Sequence, residues 1–227
     1  MATTGSESYK YLLNRIESCV DENLAGQVCL HPGQRLLTTD SRVVIRADIE
    51  QVIEQGKVSL LCGGGAGHEP AHAGYVGQGM LSASVSGSIF TSPPSANIFA
   101  AIKAISRPNS AGGCLLLVPN YTGDRLNFGL SFEKVKKEQP NLKIEMLVVG
   151  EDCASLPSVQ SAGRRGLCGQ VFANKVGKTG FFSPSINPAV RLHQFLNPTL
   201  TFALNNLSQL PPINDFVDNS TVVSPYP

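Results

Sequence analysis

The feature that most constrains this chain is residues 62–79, CGGGAGHEPAHAGYVGQG, fed directly by the apolar run Val58-Ser-Leu-Leu61. Four glycines, Gly63, Gly64, Gly65 and Gly67, follow that strand-like segment, and His68, Glu69 and Pro70 come next, where a helix is expected to begin. Glycine accepts positive φ and lets backbone come close to a ligand, while N–H groups at a helix start attract anions or polar oxygens. A segment of this kind at the carboxyl end of a strand is where open α/β sheets hold ligands.

Three familiar motifs fail against it. The dinucleotide spacing G-x-G-x-x-G, counted from Gly63 and Gly65, needs a sixth-position glycine where His68 stands. The lone Gly177-Lys-Thr179 would need a glycine at Phe172 to make a phosphate loop. His68-Glu-Pro-Ala-His72 matches H-E-x-x-H literally, but a zinc peptidase needs both histidines one turn apart inside a regular helix, and Pro70 lies between them. The expected metal content is therefore none.

Around this segment the chain alternates. Residues 6–26 carry an apolar stripe of Tyr9, Leu12, Leu13, Ile16 and Val20 and predict a helix stopped by Gly26. A strand over 42–46, a short helix over 48–55 ended by Gly56, and a strand over 58–61 follow. Residues 80–90 are rich in small residues and Val or Ile, Thr91-Ser-Pro-Pro94 reads as a turn and 95–105 as a helix, and the wholly apolar Cys114-Leu-Leu-Leu-Val118 suits a central strand buried on both faces. Asn120-Tyr-Thr-Gly-Asp124 is a second loop at a strand end, followed by a helix to about 137, a strand over 142–149 and a helix over 166–176. The fold class is α/β, a mostly parallel sheet flanked by helices, so His68 and Asp124 are expected to face one crevice.

With 227 residues the chain can bury one good core. Residues 1–176 form the body, and 177–227, broken by prolines and turn formers, read as a divergent tail less ordered than the body. A net charge of +1 with 15% charged residues offers no field for nucleic acid. The six cysteines show no C-x-x-C pair, no apolar run approaches a membrane span, and the amino terminus lacks a secretory apolar core, so the expectation is a cytoplasmic protein with no membrane partner.

Five ordered motifs make the region 14–176 resemble the substrate-binding K domain of the dihydroxyacetone (glycerone) kinases, a family whose animal form is the bifunctional triokinase/FMN cyclase. They are Gly63-Gly-Gly-Ala-Gly-His-Glu-Pro70, Gly77-Gln-Gly-Met80, Phe90-Thr-Ser-Pro93, Asn120-Tyr-Thr-Gly-Asp-Arg-Leu-Asn-Phe128 and Ala162-Gly-Arg-Arg-Gly166. The resemblance implies that Gly65, Ala66, Gly67 and His68 contact a triose, dihydroxyacetone or glyceraldehyde. Asp124 would sit beside the reacting hydroxyl and, with His68, carry the catalytic proton chemistry. It also implies a homodimer, with ATP and magnesium held by a separate all-helical L domain that this sequence does not contain.

Two departures accompany the resemblance. Pro119 stands where the family has a lysine, which removes a cation and a backbone N–H. The family's Gly-Ile-His-Gly-Glu motif, whose histidine binds the triose carbonyl covalently, has no counterpart: His193 lies in Arg-Leu-His-Gln-Phe. The expectation is a triose-binding, kinase-type chain that is catalytically incomplete alone. A non-enzymatic small-ligand or regulatory module on the same fold is the alternative, and FMN cyclase activity is a third reading that also depends on the L domain.

Overall fold

Residues 14–37, 42–152 and 163–179 are described by the structure, a computed structural model. The apolar runs become strands of one mixed sheet, β1 (Gln34–Leu36), β2 (Val43–Arg46), β3 (Ser59–Ala66), β4 (Ala83–Ile89), β5 (Cys114–Pro119) and β6 (Ile144–Val149). Their order is β1-β2-β4-β3-β5-β6. The four strands β4, β3, β5 and β6 run parallel, and β2 joins β4, and β1 joins β2, antiparallel. The expected mostly parallel sheet is present, with a two-stranded antiparallel extension on one side.

Alternation along the central strands divides the core. Leu61, Ala83, Val85, Leu116 and Val118 pack against α2 (Ile49–Glu54), α3 (Ser95–Ile105) and α4 (Thr122–Glu138). Leu60, Cys62, Leu115 and Leu117 face the other way, toward α1 (Cys19–Leu30), the 3-10 turn Ala73–Tyr75 and α5 (Cys168–Thr179). Both faces of β5 are covered, which is why it reads as an unbroken apolar run. Phe128 of α4 is fully buried, and such a side chain contributes about 1.5–3 kcal/mol by leaving water.

The first helix departs from expectation. It begins at Cys19 and runs through Gly26 to Leu30; residues 1–13, where the predicted helix began, lie outside the described residues. Gly26 does not stop it because that position is exposed and makes no demand for a left-handed turn, whereas Pro32 restricts His31 to extended backbone, φ −122° and ψ 89°. Arg42 of the β2 approach grips the Asp21 carboxylate with two N–H groups, at 2.6 and 2.9 Å, and so holds α1 against the sheet.

At the other end, α5 continues to Thr179, so residues 177–179, the start of the expected 177–227 tail, are helical, and residues 180–227 lie outside the described residues. Glu151 sits beneath the start of that helix: a Cβ on Gly166 would stand 2.4 Å from its Oε1, and one on Gly169 2.6 Å from its Cγ.

Two glycines separate crowding from propensity. A Cβ on Gly63 would stand 2.3 Å from the Val85 carbonyl oxygen, a backbone atom of the paired strand, whereas one on Gly26 meets nothing within 4 Å. Gly63→Ala is expected to cost about 2–3 kcal/mol. Gly26→Ala should add roughly 0.5–1 kcal/mol through helix propensity. Urea denaturation of the two variants checks both signs.

Candidate functional site

The site grows from the end of β3. The glycines 63–65 are not a loop, as expected from the sequence, but the last residues of the strand, with an irregularity of register between Gly64 and Ala66. They belong to the strand because the neighbouring backbone lies too close for side chains. A Cβ on Gly65 would stand 2.7 Å from Thr91 N, and one on Gly87 of β4 only 1.8 Å from the Thr91 carbonyl. Phe90 N–H donates to the Ala66 carbonyl at 2.8 Å, which clips the turn after β4 onto the end of β3.

Gly67, with φ +107°, then turns the chain. The helix expected from His68 to Pro70 does not form, because the Glu69 carboxylate folds back to accept the Gly67 N–H at 3.2 Å through both oxygens and residues 67–72 remain a turn. That N–H is therefore already engaged. His68 and His72 do not share a helix face; their rings meet edge to face, 5.4 Å apart at 81°. The geometry a zinc peptidase requires is missing for that reason.

Asp124 reaches the same place from β5. The chain leaves that strand at Pro119, α4 starts at Thr122, and Asp124 falls in its first turn, where the helix dipole favours a carboxylate. Asp124 is 4% exposed. Burial pushes its carboxyl above the ordinary carboxylate value, opposed by a hydrogen bond from Ser92 and by the charge of His68. Gly123 has no side chain because a Cβ there would stand 2.5 Å from the Ser92 hydroxyl. The residue before Asp124 thus makes room for the residue that holds it.

His72 is the third wall. Its Nδ1 lies 3.4 Å from the buried Cys62 sulfur. Burial, and after it the charge of neighbouring His68, depresses the imidazole to about 3. From the point where a Cβ on Gly64 would stand, His72 Nε2 is 3.1 Å away and Asp124 Oδ2 is 3.8 Å away. Gly64 is thus the floor on which the two groups meet. His68 Nε2, His72 Nε2 and Asp124 Oδ1 are all buried without a hydrogen-bond partner among the described residues. The His68 ring stacks on the exposed Phe90 ring at 6.5 Å and 9°.

The structure brings His68, Asp124 and the end of β3 together, and it adds His72, Cys62, Ser92 and Phe90, which the sequence placed in motifs without giving them a part in the site. Ser92 and Phe90 lay inside a turn motif whose neighbour in space, Asp124, is more than 30 residues away in the chain. The loop before α4 is anchored from behind, where the Asn120 side-chain amide donates to the Arg164 carbonyl at 2.6 Å and the Arg165 guanidinium lies 5.9 Å from the Tyr121 ring centroid. Two imidazoles, a thiol and one carboxylate do not suit magnesium, a hard cation that takes oxygen ligands.

A Dak1 domain model matches residues 25–180. The chain belongs to the Dak1 domain family. It is 48% identical to triokinase/FMN cyclase of Mus musculus over 169 residues, which cover 74% of this chain and 28% of that protein. It is 40% identical to the dihydroxyacetone-binding subunit of the PEP-dependent dihydroxyacetone kinase of Escherichia coli over 189 residues, 83% of this chain and 51% of the subunit. A crystal structure of the dihydroxyacetone kinase from C. freundii in complex with AMP-PNP and Mg2+ superimposes with a TM-score of 0.68 at 35% identity, covering 88% of this chain and 34% of that one. The resemblance to the dihydroxyacetone kinases is borne out, and this Dak1 chain spans under a third of the length of its mammalian relatives.

Two outcomes follow from the buried charges. Asp124→Asn keeps an acceptor for Ser92 and removes a desolvated carboxylate, so it should stabilise the fold at neutral pH by ~1 kcal/mol. The gain shrinks in acid, where the raised carboxyl is already protonated; thermal melts across pH measure it. For His72 the sign is opposite: the unfolded chain takes up a proton near the ordinary imidazole value of about 6.5 that the folded chain refuses. Stability attached to His72 is therefore complete above that pH and is lost as pH falls toward about 3. His72→Gln should flatten the slope by up to ~1.4 kcal/mol per pH unit in urea titrations.

Proposed function

We propose that this chain binds a triose, dihydroxyacetone or glyceraldehyde, at the end of β3 and serves as the substrate-holding part of a kinase-type enzyme. The observation that carries the reading is that His72 Nε2 and Asp124 Oδ2 border the side-chain-free Gly64, with the His68 ring against His72, while His68 Nε2, His72 Nε2 and Asp124 Oδ1 are buried without a hydrogen-bond partner among the described residues. Buried polar atoms are expensive to leave unsatisfied, so a cluster of them around a glycine floor suits a small ligand rich in oxygen. The relatives' names point the same way, one being a triokinase and another a dihydroxyacetone-binding subunit.

In this reading Asp124 accepts the proton of the substrate hydroxyl as that oxygen attacks the incoming phosphoryl group. Its raised carboxyl makes it a better base than a solvated aspartate, and Ser92 keeps it oriented. His68 polarises or exchanges protons with the other substrate oxygens, and the exposed Phe90 ring beside it forms part of the rim. The phosphoryl donor and its magnesium belong to a separate domain or subunit, which supply the positioning and charge that phosphoryl transfer depends on. Support for that division comes from the donor set described above, and from a relative named for dihydroxyacetone binding alone.

Binding rests on a few hydrogen bonds worth about 0.5–1.5 kcal/mol each, so a Kd on the order of 1 mM is expected. Calorimetric titration of the full chain with dihydroxyacetone tests this, with His68→Ala and Asp124→Ala each weakening binding by about tenfold or more. No heat and no ligand NMR response from the unaltered chain at concentrations well above that Kd would overturn the reading.

A further inference from the structure

We propose that His72 is a second ligand-binding histidine, a neutral Nε2–H donor aimed at a substrate oxygen next to Asp124, and that Cys62 is the positioning residue that sets its tautomer. The inference rests on the site proposed above and specifies how it reads a ligand.

Start with the thiol. Cys62 and His72 are 0% and 3% exposed, and Sγ lies 3.4 Å from Nδ1. Burial raises the Cys62 thiol, opposed by the adjacent Gly63 backbone N–H and reinforced by the Asp124 charge, so the sulfur keeps its hydrogen at neutral pH. That S–H can donate to Nδ1, and the far side of the ring decides between donation and acceptance. A neutral imidazole bears one N–H, so when Nδ1 accepts, the proton resides on Nε2.

The far side of the ring agrees. Nε2 has no hydrogen-bond partner among the described residues, and it and Asp124 Oδ2 approach the same point above Gly64 at 3.1 and 3.8 Å. An N–H facing a carboxylate across a small space is electrostatically favourable, whereas a lone pair facing it is not. The titratable groups around the ring are Cys62, His68 and Asp124, and burial keeps His72 uncharged among them.

Neutrality has a chemical consequence. A charged imidazolium here would pair with Asp124 and weaken it as a proton acceptor, whereas a neutral N–H can hold one substrate oxygen while Asp124 takes the proton from the next. The arrangement therefore selects a ligand with oxygens on adjacent carbons, an α-hydroxycarbonyl or a vicinal diol. One oxygen accepts from His72 and its neighbour donates to Asp124.

The test uses the full chain with 15N-labelled histidine, read by long-range 1H–15N correlation, alongside calorimetry with dihydroxyacetone. Unaltered protein should show His72 as a single Nε2–H tautomer that does not titrate between about pH 5 and 8. Cys62→Ser, which keeps an O–H donor, should retain that tautomer, while Cys62→Ala should mix or reverse it. His72→Phe, checked for folding by circular dichroism, should weaken dihydroxyacetone binding about tenfold, and His72→Gln, which keeps an N–H, about threefold or less. An Nδ1–H tautomer in the unaltered chain, the same spectrum in Cys62→Ala, or undiminished binding by a folded His72→Phe would each overturn the inference. Failure of the unaltered chain to bind dihydroxyacetone would overturn the triose reading instead, and the tautomer spectra would still decide the role of Cys62.

Discussion

Everything at this site depends on backbone packed against backbone where no side chain fits. At the end of β3 the strand lies against β4 and the turn that follows it so closely that a Cβ on Gly63, Gly65 or Gly87 would overlap carbonyl or amide atoms. That approach carries the Phe90 to Ser92 turn over the strand end. Ser92 is thereby set to hold Asp124, and Phe90 to stack on His68. Gly64, in the middle of the run, leaves the space that His72 and Asp124 border. A side chain at any of these positions would alter the shape of the site before altering its chemistry.

The topology supplies the second condition. β3 sits between β4 and β5, and the chain leaving β3 crosses one face of the sheet while the chain leaving β5 enters α4 on the other. A crevice opens where such connections part, and in an open α/β sheet that is where ligands bind. The first turn of α4 then delivers a carboxylate with the dipole in its favour, although burial works against its charge. Opposed effects of this kind are common at functional sites, where local stability is given up for a group held ready to react.

Much of the fold was legible in the sequence because its strongest signals are local. The apolar run from Cys114 to Val118 announces a strand buried on both faces, and the turn formers at 91–94 announce the start of α3. β1 was not legible: its three residues carry no apolar alternation, and Gln34 holds its place by accepting from Gln27 and donating to the Val76 carbonyl, 42 residues away. The strand character of Gly63 to Gly65 was hidden for a related reason. Glycine reads as a loop former in isolation, and only the proximity of Val85 and Thr91 turns its missing side chain into a requirement for strand packing.

The sequence by itself determined the family and the alternating α/β order, and it set His68 and Asp124 just beyond the ends of two apolar strands. These rest on residue identity and short-range order, which survive in a linear string. Only the tertiary structure decided that His72 faces into the same space, that Cys62 touches its other nitrogen, and that Ser92 secures the carboxylate. Those relations join segments of the chain that approach one another only through the sheet. The physical reason is that burial and hydrogen-bond partnership, which set the charge and tautomer of these groups, belong to the packed surroundings and not to the residues themselves.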